Sequence, residues 1–411
     1  MMVVLKILIW LFCAFQLVLA IYLLLPMVLL LVHAVLKVSG KRLLERKYPL
    51  QNDREYDFAA IITAHKDTRF ILPLVDSFCR QTYEKFIVYV VADDCDVSGL
   101  QFTDPRIRLL RPEPALHAKI QSIRYAVDRF VRPHDVLVVF DSDNLVHPQY
   151  FERLCGYFQR GFRAVQTHML SKNTDTIFAK LDSIGHIYNT FVERQSKMEL
   201  GLSSSILGLG IAIETELYRQ VMYKDGLGGF DKKLQADIIR TIPQLAFAED
   251  AIVYDEKVSS GSTLEKQRTR WIYTYFKYFP VNWQLFKTGW KRRNVNLIYF
   301  GFTVLRPPLF ITVCLAVLCL LADWLISPAL ALVWGGVLVA FILSFVLIVL
   351  TQSRQKGMYL AIFYIPVIVV RQISALLKIK KASKDFLQTD HSKVIYIEEL
   401  LKNEAVKKNL L

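Results

Sequence analysis

Residues 7–36 read ILIWLFCAFQLVLAIYLLLPMVLLLVHAVL and contain no Lys, Arg, Asp or Glu. A bilayer core of ~30 Å is crossed by about 20 helical residues, so this run spans with room to tilt. A cleaved signal peptide is the competing reading, but its apolar core would cover only about 7–15 residues. A run this long commits the chain to a membrane before any other feature is considered.

Two further apolar runs follow the middle of the chain. Residues 297–322 carry Arg306 and a Pro307-Pro308 kink, and residues 328–351 are cleanly apolar. Both read as transmembrane helices. Residues 358–377 are interrupted by Pro366 and Arg371 and flanked by Arg354, Lys356, Lys378, Lys380 and Lys381. Positive residues stay on the cytoplasmic side, so this stretch reads as interfacial or re-entrant. The first run is followed by Lys37, Lys41, Arg42, Arg46 and Lys47, which places the polar middle in the cytoplasm and the protein in the inner membrane. The net charge of +14 over 411 residues then has its partner in the anionic lipid of the bilayer. Nucleic acid is not expected, because the basic clusters sit beside the apolar runs. The six cysteines form no CxxC pair, so neither a disulfide framework nor a zinc site is indicated.

The polar middle alternates strand-like and helix-like stretches. Residues 57–64, 85–93, 106–110 and 135–141 read as strands, and 118–130 as an amphipathic helix. That alternation indicates a largely parallel α/β sheet covered on both faces. Ligands of such sheets bind at the carboxyl ends of the strands. Those ends here carry His65-Lys66-Asp67, Asp93-Asp94-Cys95-Asp96 and Asp141-Ser142-Asp143-Asn144. The expected organisation is an N-terminal transmembrane helix (1–37), a basic juxtamembrane linker (38–54) and a cytoplasmic catalytic domain (55–271). Interfacial amphipathic helices (272–296), transmembrane helices (297–322 and 328–351), an interfacial or re-entrant helix (358–381) and a cytoplasmic tail (382–411) complete it.

Asp141 and Asp143 flank one residue as the chain leaves a long apolar strand. Hard carboxylate oxygens suit Mg²⁺ or Mn²⁺. A solvated turn is the plainer reading, and it weakens because Asp93 and Asp94 are expected at the same sheet edge. One of those two could accept hydrogen bonds from a nucleobase or ribose, or approach the metal. Lys119 opens the 118–130 helix, where a lysine can join backbone N–H groups on a phosphate; a surface lysine is the alternative. In Gln267-Arg268-Thr269-Arg270-Trp271, an arginine can bind phosphate in a bidentate manner. The tryptophan offers a flat face to a sugar ring, and Gln267 could bond hydroxyls. An interfacial Arg/Trp belt explains the aromatics after residue 271, but not the spacing of these five.

Strand-end Asp pair, DxD, later Asp and QxxRW, in this order, resemble the membrane-embedded family-2 glycosyltransferases, the group of the cellulose, hyaluronan, chitin and poly-N-acetylglucosamine synthases. The resemblance covers roughly residues 1–300. It implies a GT-A (Rossmann-like) domain inserted between an N-terminal transmembrane helix and a C-terminal helical membrane region. It also implies a donor site of Asp93 or Asp94, Lys119, Asp141, Gln267, Arg270 and Trp271, with metal on Asp141 and Asp143. The segment 386–391 is faintly similar to a gating segment over the donor site.

Family members invert the anomeric centre, with an Asp of a Glu-Asp motif at a helix start taking the acceptor proton. Glu249-Asp250 is the conspicuous match, but FAEDAIVYDEKV (247–258) alternates like a strand, and Asp250 is close in sequence to Gln267. Asp237 precedes IIRTIPQL, which can begin as a helix, and its separation from Gln267 is nearer the family's. Asp237 is therefore assigned as the base, with Asp250 kept as the rival. Ala236 stands where the family has Glu, and Pro243 shortens the helix. Asp255 and Glu256 are assigned to the turn after the strand.

The expected activity is transfer of a sugar from a nucleotide sugar, a uridine diphosphate sugar by family habit, to a growing polysaccharide. Single-sugar transfer to a polyprenyl phosphate or other lipid-linked acceptor is the alternative. A non-catalytic scaffold or export partner with a degenerate transferase domain is the other.

Overall fold

A computed structural model describes residues 2–39, 47–222, 229–353, 357–378 and 392–402. Lys41, Arg42, Arg46, Arg354, Lys356, Lys380, Lys381 and the 386–391 segment lie outside the described residues. The chain divides into two compact units. One comprises Met1–Leu43, Lys180–Glu199 and Leu264–Leu387, and the other Leu44–Ala179, Leu200–Thr263 and Gln388–Leu411.

The second unit is built on an eight-stranded sheet of order β3-β2-β1-β4-β7-β6-β8-β5. Its strands are β1 (Phe58–His65), β2 (Phe86–Asp93), β3 (Ile107–Leu110), β4 (Val136–Asp141), β5 (Leu145–Val146), β6 (Ala164–Ser171), β7 (Ile211–Glu214) and β8 (Ala246–Asp255). β1, β2, β3 and β4 pair in parallel, as do β6 and β8, while β7 runs antiparallel to both β4 and β6. Every residue of β2 is buried, as are the first five of β1 and of β4. Burial on both faces explains why these strands read as continuous apolar runs rather than alternating ones. Helices α2 (Ile71–Cys79), α3 (Lys119–Val127) and α4 (Tyr150–Gln159) follow β1, β3 and β5. The four strands and the helix expected between residues 57 and 141 are thus present, each within a few residues of its expected bounds.

The first unit is helical. α1 (Met2–Val38) packs Leu19, Leu23 and Leu29 against Trp334, Phe341 and Ile348 of the later helices and against Tyr188 and Phe191. Tyr188 lies on α5 (Ile177–Thr190), which continues as a π turn, Phe191–Gln195. α6 (Thr215–Val221) and α7 (Phe230–Thr241) belong to the sheet unit. The helical unit resumes with α8 (Gly261–Arg292), α9 (Val295–Leu305), α10 (Leu309–Ile326), α11 (Pro328–Gln352), α12 (Met358–Ile362) and α13 (Ile365–Leu377).

Among the described residues, three helices are long and apolar enough to cross a membrane: Lys6–Val38, Leu309–Ile326 and Pro328–Gln352. The expected span 297–322 is corrected. Helix α9 ends at Leu305, and the chain restarts as α10 after Pro307-Pro308. Neither proline can donate a backbone hydrogen bond, and each ring clashes with the preceding turn. Helix α8 runs through residues 271 and 272 as one helix that tolerates Pro280. Residues 358–377 form two short helices, with the break before Pro366.

Candidate active site

Parallel pairing puts the last residues of several strands along one edge. His65 lies beside Asp93, Thr63 beside Asp141, and Ser171 beside Asp255. The turn after β4 is closed by its own asparagine: the Asp141 N–H donates to Asn144 Oδ1 at 3.0 Å, and the Asn144 N–H to the Asp141 carbonyl at 3.1 Å. Lys119, the first residue of α3, reaches Asp141 Oδ1 at 2.5 Å and donates to the Gly208 carbonyl at 2.9 Å. Its ammonium also stands over the Phe230 ring, 5.7 Å from the centroid. Two of the expected donor-site residues, Lys119 and Asp141, are therefore in direct contact.

Asp143, the second carboxylate of the motif, is buried. The Lys172 ammonium, itself buried, donates to the Asp143 carbonyl at 3.1 Å. Burial lowers the Lys172 pKa, and the nearby Asp143, Glu256 and Asp255 act in the opposite direction. Asp255 accepts from Asn144 Nδ2 at 3.1 Å and from Lys257 Nζ at 2.9 Å. Lys172, Asn144, Asp255 and Glu256 thus surround the Asp141–Asp143 turn, and the sequence reading gave none of them a part in the site. The clue was Asp255 at the end of a strand-like run; only the pairing of β6, β8 and β5 makes it a neighbour of residue 144.

Asp93 and Asp94 separate sharply. Asp93 is 2% exposed, and its oxygens accept from the N–H groups of Leu116 at 2.6 Å and His117 at 2.7 Å. It therefore braces the loop leading to Lys119. Asp94 keeps a solvent-facing carboxylate 3.7 Å from Lys66 Nζ. Lys66, Asp94 and His117 all have positive φ, at 64°, 54° and 50°, an uncommon backbone for non-glycine residues. One ligand atom each from His65, Asp93 and His117 lie within 4.8 Å of one another.

Asp237 sits in the last turns of α7 and not at a helix start as expected. α7 begins at Phe230, after Gly229 at φ 71°. The Asp237 carboxylate pairs with Arg240 at 3.2 Å and Lys233 at 3.4 Å. Neighbouring Gln235 is buried, its Oε1 accepting from the Ile206 N–H at 2.7 Å. Ala236 is 1% exposed, so a glutamate there would carry its charge into the core. Asp231, in the first turn of α7, lies under Gly208, where an added Cβ would meet its side chain at 3.6 Å. Asp250 falls inside β8, where the register against β6 jumps from Ala248 to Ile252. The Tyr157 hydroxyl donates to Asp250 Oδ1 at 3.0 Å. Burial first, then the Asp250 charge, raises the Tyr157 pKa, which keeps that phenol a donor.

Gln267, Arg270 and Trp271 lie on α8 of the helical unit. Their i, i+3, i+4 spacing puts all three on one helix face. Arg268 has a different part. It pairs with Asp182 at 2.6 Å, both side chains largely buried, and lies over the Trp271 ring at 4.3 Å.

Parallel strands that deliver carboxylates to one edge, opposite a lysine at a helix start, define a Rossmann-like domain suited to a charged ligand. Residues 55–274, more than half of the chain, match the family described as glycosyltransferase like family 2, and the chain belongs to that family. The structure of the mannosyltransferase PcManGT from Pyrobaculum calidifontis, in complex with GDP-Man and Mn²⁺, is similar with a TM-score of 0.50 at 14% identity, over 89% of this chain and 100% of that one. At that identity the likeness is one of fold, a GT-A domain. Lesser similarity is found to S. aureus TarS (TM-score 0.38, 11% identity, 61% of this chain and 55% of that one). GalNAc-T7 with UDP, GalNAc and Mn²⁺ is similarly distant (TM-score 0.40, 12% identity, 49% and 44%). No curated protein sequence matches the chain.

Proposed function

We propose that this glycosyltransferase is an inverting enzyme that takes a sugar nucleotide at the cytoplasmic face of the inner membrane and extends a polysaccharide. The observation that carries the donor site is the contact of Lys119 with Asp141 beside the buried Asp143. Two carboxylates either side of one residue form a hard oxygen donor set that fits Mg²⁺ or Mn²⁺. Bound there, the ion would neutralise the diphosphate as it leaves. Mn²⁺ accompanies GDP-Man in the Pyrobaculum enzyme, which supports a cation of this kind.

The chain's own groups have distinct parts. Lys119 would exchange its contact with Asp141 for the diphosphate, supplying positive charge where negative charge develops. Asp93 would hold the loop before Lys119, and Asp94 would face the nucleoside. Gln267, Arg270 and Trp271 would serve the diphosphate and the acceptor. Asp237 would take the proton of the acceptor hydroxyl as its oxygen attacks the anomeric carbon. The carbon–oxygen bond to the diphosphate breaks, and the electron pair leaves with the diphosphate.

The test is nucleoside diphosphate release by the detergent-purified protein across UDP- and GDP-sugars, with Mn²⁺ or Mg²⁺. Turnover of one donor that vanishes in Asp141→Ala supports the donor site. Full turnover in Asp141→Ala at saturating metal refutes it. A ladder of products marks extension of a polymer, and a single addition marks a lipid-linked acceptor.

A further inference from the structure

The segment 392–402 lies far in sequence from the matched region 55–274, yet it is docked on the sheet unit. Glu256, 4% exposed, accepts two of its backbone N–H groups, Ser392 at 2.8 Å and Lys393 at 3.0 Å. Lys393 pairs with Asp175 at 2.6 Å, and Arg80 pairs with Glu398. Ile397 and Leu400 are buried against Leu145 and Tyr254.

Leu145 and Tyr254 are side-by-side neighbours on adjacent strands, paired in the β5–β8 ladder. Asn144, one residue before Leu145, donates to Asp255, one residue after Tyr254. The same Asn144 side chain receives the Asp141 N–H. An unbroken path of contacts thus runs from Ile397 and Glu256 through β5 and β8 to the Asp141-Ser142-Asp143 turn. A charged carboxylate that accepts two amides makes strong, directional bonds, so Glu256 fixes the segment in one register.

We propose that residues 392–402 are a strap that sets the shape of the Asp141-Ser142-Asp143 turn, with Glu256 and Asn144 as positioning residues for the divalent cation. This rests on the cation role proposed above for Asp141 and Asp143. Supporting groups of this kind change metal affinity when lost, while the ligands themselves remain in place.

The experiment uses the full-length protein in detergent, comparing wild type with Ile397→Asp and with the milder Glu256→Gln. Free Mn²⁺ is measured by its paramagnetic resonance signal, and amide hydrogen exchange is followed over residues 141–146. Expected is a Mn²⁺ half-saturation raised about 10- to 100-fold, with faster exchange at residues 141–144 and a retained cooperative thermal transition. Unchanged exchange at 141–144 in a variant whose 392–402 amides have become labile overturns the coupling. Wild-type Mn²⁺ affinity in both variants overturns the positioning role. If wild type itself binds no Mn²⁺, the cation role fails and the positioning role falls with it, a result distinct from the other two because the unmutated protein shows it.

Discussion

Lys119 and Asp141 are 22 residues apart in sequence, and their side chains meet at 2.5 Å where α3 begins and β4 ends. The contact keeps a cation poised at the carboxyl edge of the sheet. In water such a pair is worth little, so its value lies in placement.

Replacing that cation tests it. Lys119→Ala is expected to lower kcat/KM for the sugar nucleotide by about 10²–10³-fold, the usual cost of removing one donor to developing charge. The thermal transition should move little, since the pair is partly exposed. Steady-state nucleotide release together with differential scanning fluorimetry reads both.

Asp237 and Asp250 give opposite expectations. Asp237→Asn removes the proposed proton acceptor and should lower turnover by about 10²–10⁴-fold. Asp250→Asn weakens one hydrogen bond from Tyr157 and should cost about 1 kcal/mol of stability with turnover kept. Lost turnover in Asp250→Asn, with Asp237→Asn active, would move the base to β8.

The two arginines of the 267–271 stretch should fail in different ways. Arg268 is the buried partner of Asp182, so Asp182→Asn strands a buried cation and should cost about 3–5 kcal/mol. Arg270→Ala should lose activity with a smaller fall in melting temperature than Asp182→Asn. Parallel melting and turnover curves separate the two roles.

Acid should act on the sheet unit through Asp104. Hydrogen bonding from Arg106 is the main cause that lowers its pKa to about 2. The folded value lies below the unfolded one, so the stabilisation is present above about pH 4 and disappears as pH falls toward 2. Solvent screening of this surface pair leaves about 1 kcal/mol above pH 4. Denaturant titrations of wild type and Asp104→Asn should differ by that amount at pH 6 and converge near pH 2.

Local pattern carried much of this structure. An uncharged apolar run must bury itself or enter lipid, and strands buried on both faces show as short apolar runs ending in polar residues. The four strands up to Asp141, the helix at Lys119 and the strand through Asp250 were legible for that reason. Pro307-Pro308 reads as a kink within one span, but two successive residues without a backbone donor end one helix at Leu305 and start another at Leu309. The start of α7 was missed because Phe230–Gln235 carries charged residues that hide its buried face.

By its order of residues alone, the chain determined that it holds apolar helices of spanning length and an α/β domain whose strand ends carry Asp93, Asp141 and Asp143. Only the tertiary structure decided which partners each acid meets. Asp93 is occupied by two backbone amides, Asp250 by a tyrosine hydroxyl, and Asp255 and Glu256 link the DxD turn to the segment 392–402. The physical reason is the strand order. β8 and β5 are joined at one edge of the sheet, which makes neighbours of residues more than a hundred positions apart, and no local periodicity encodes such a pairing.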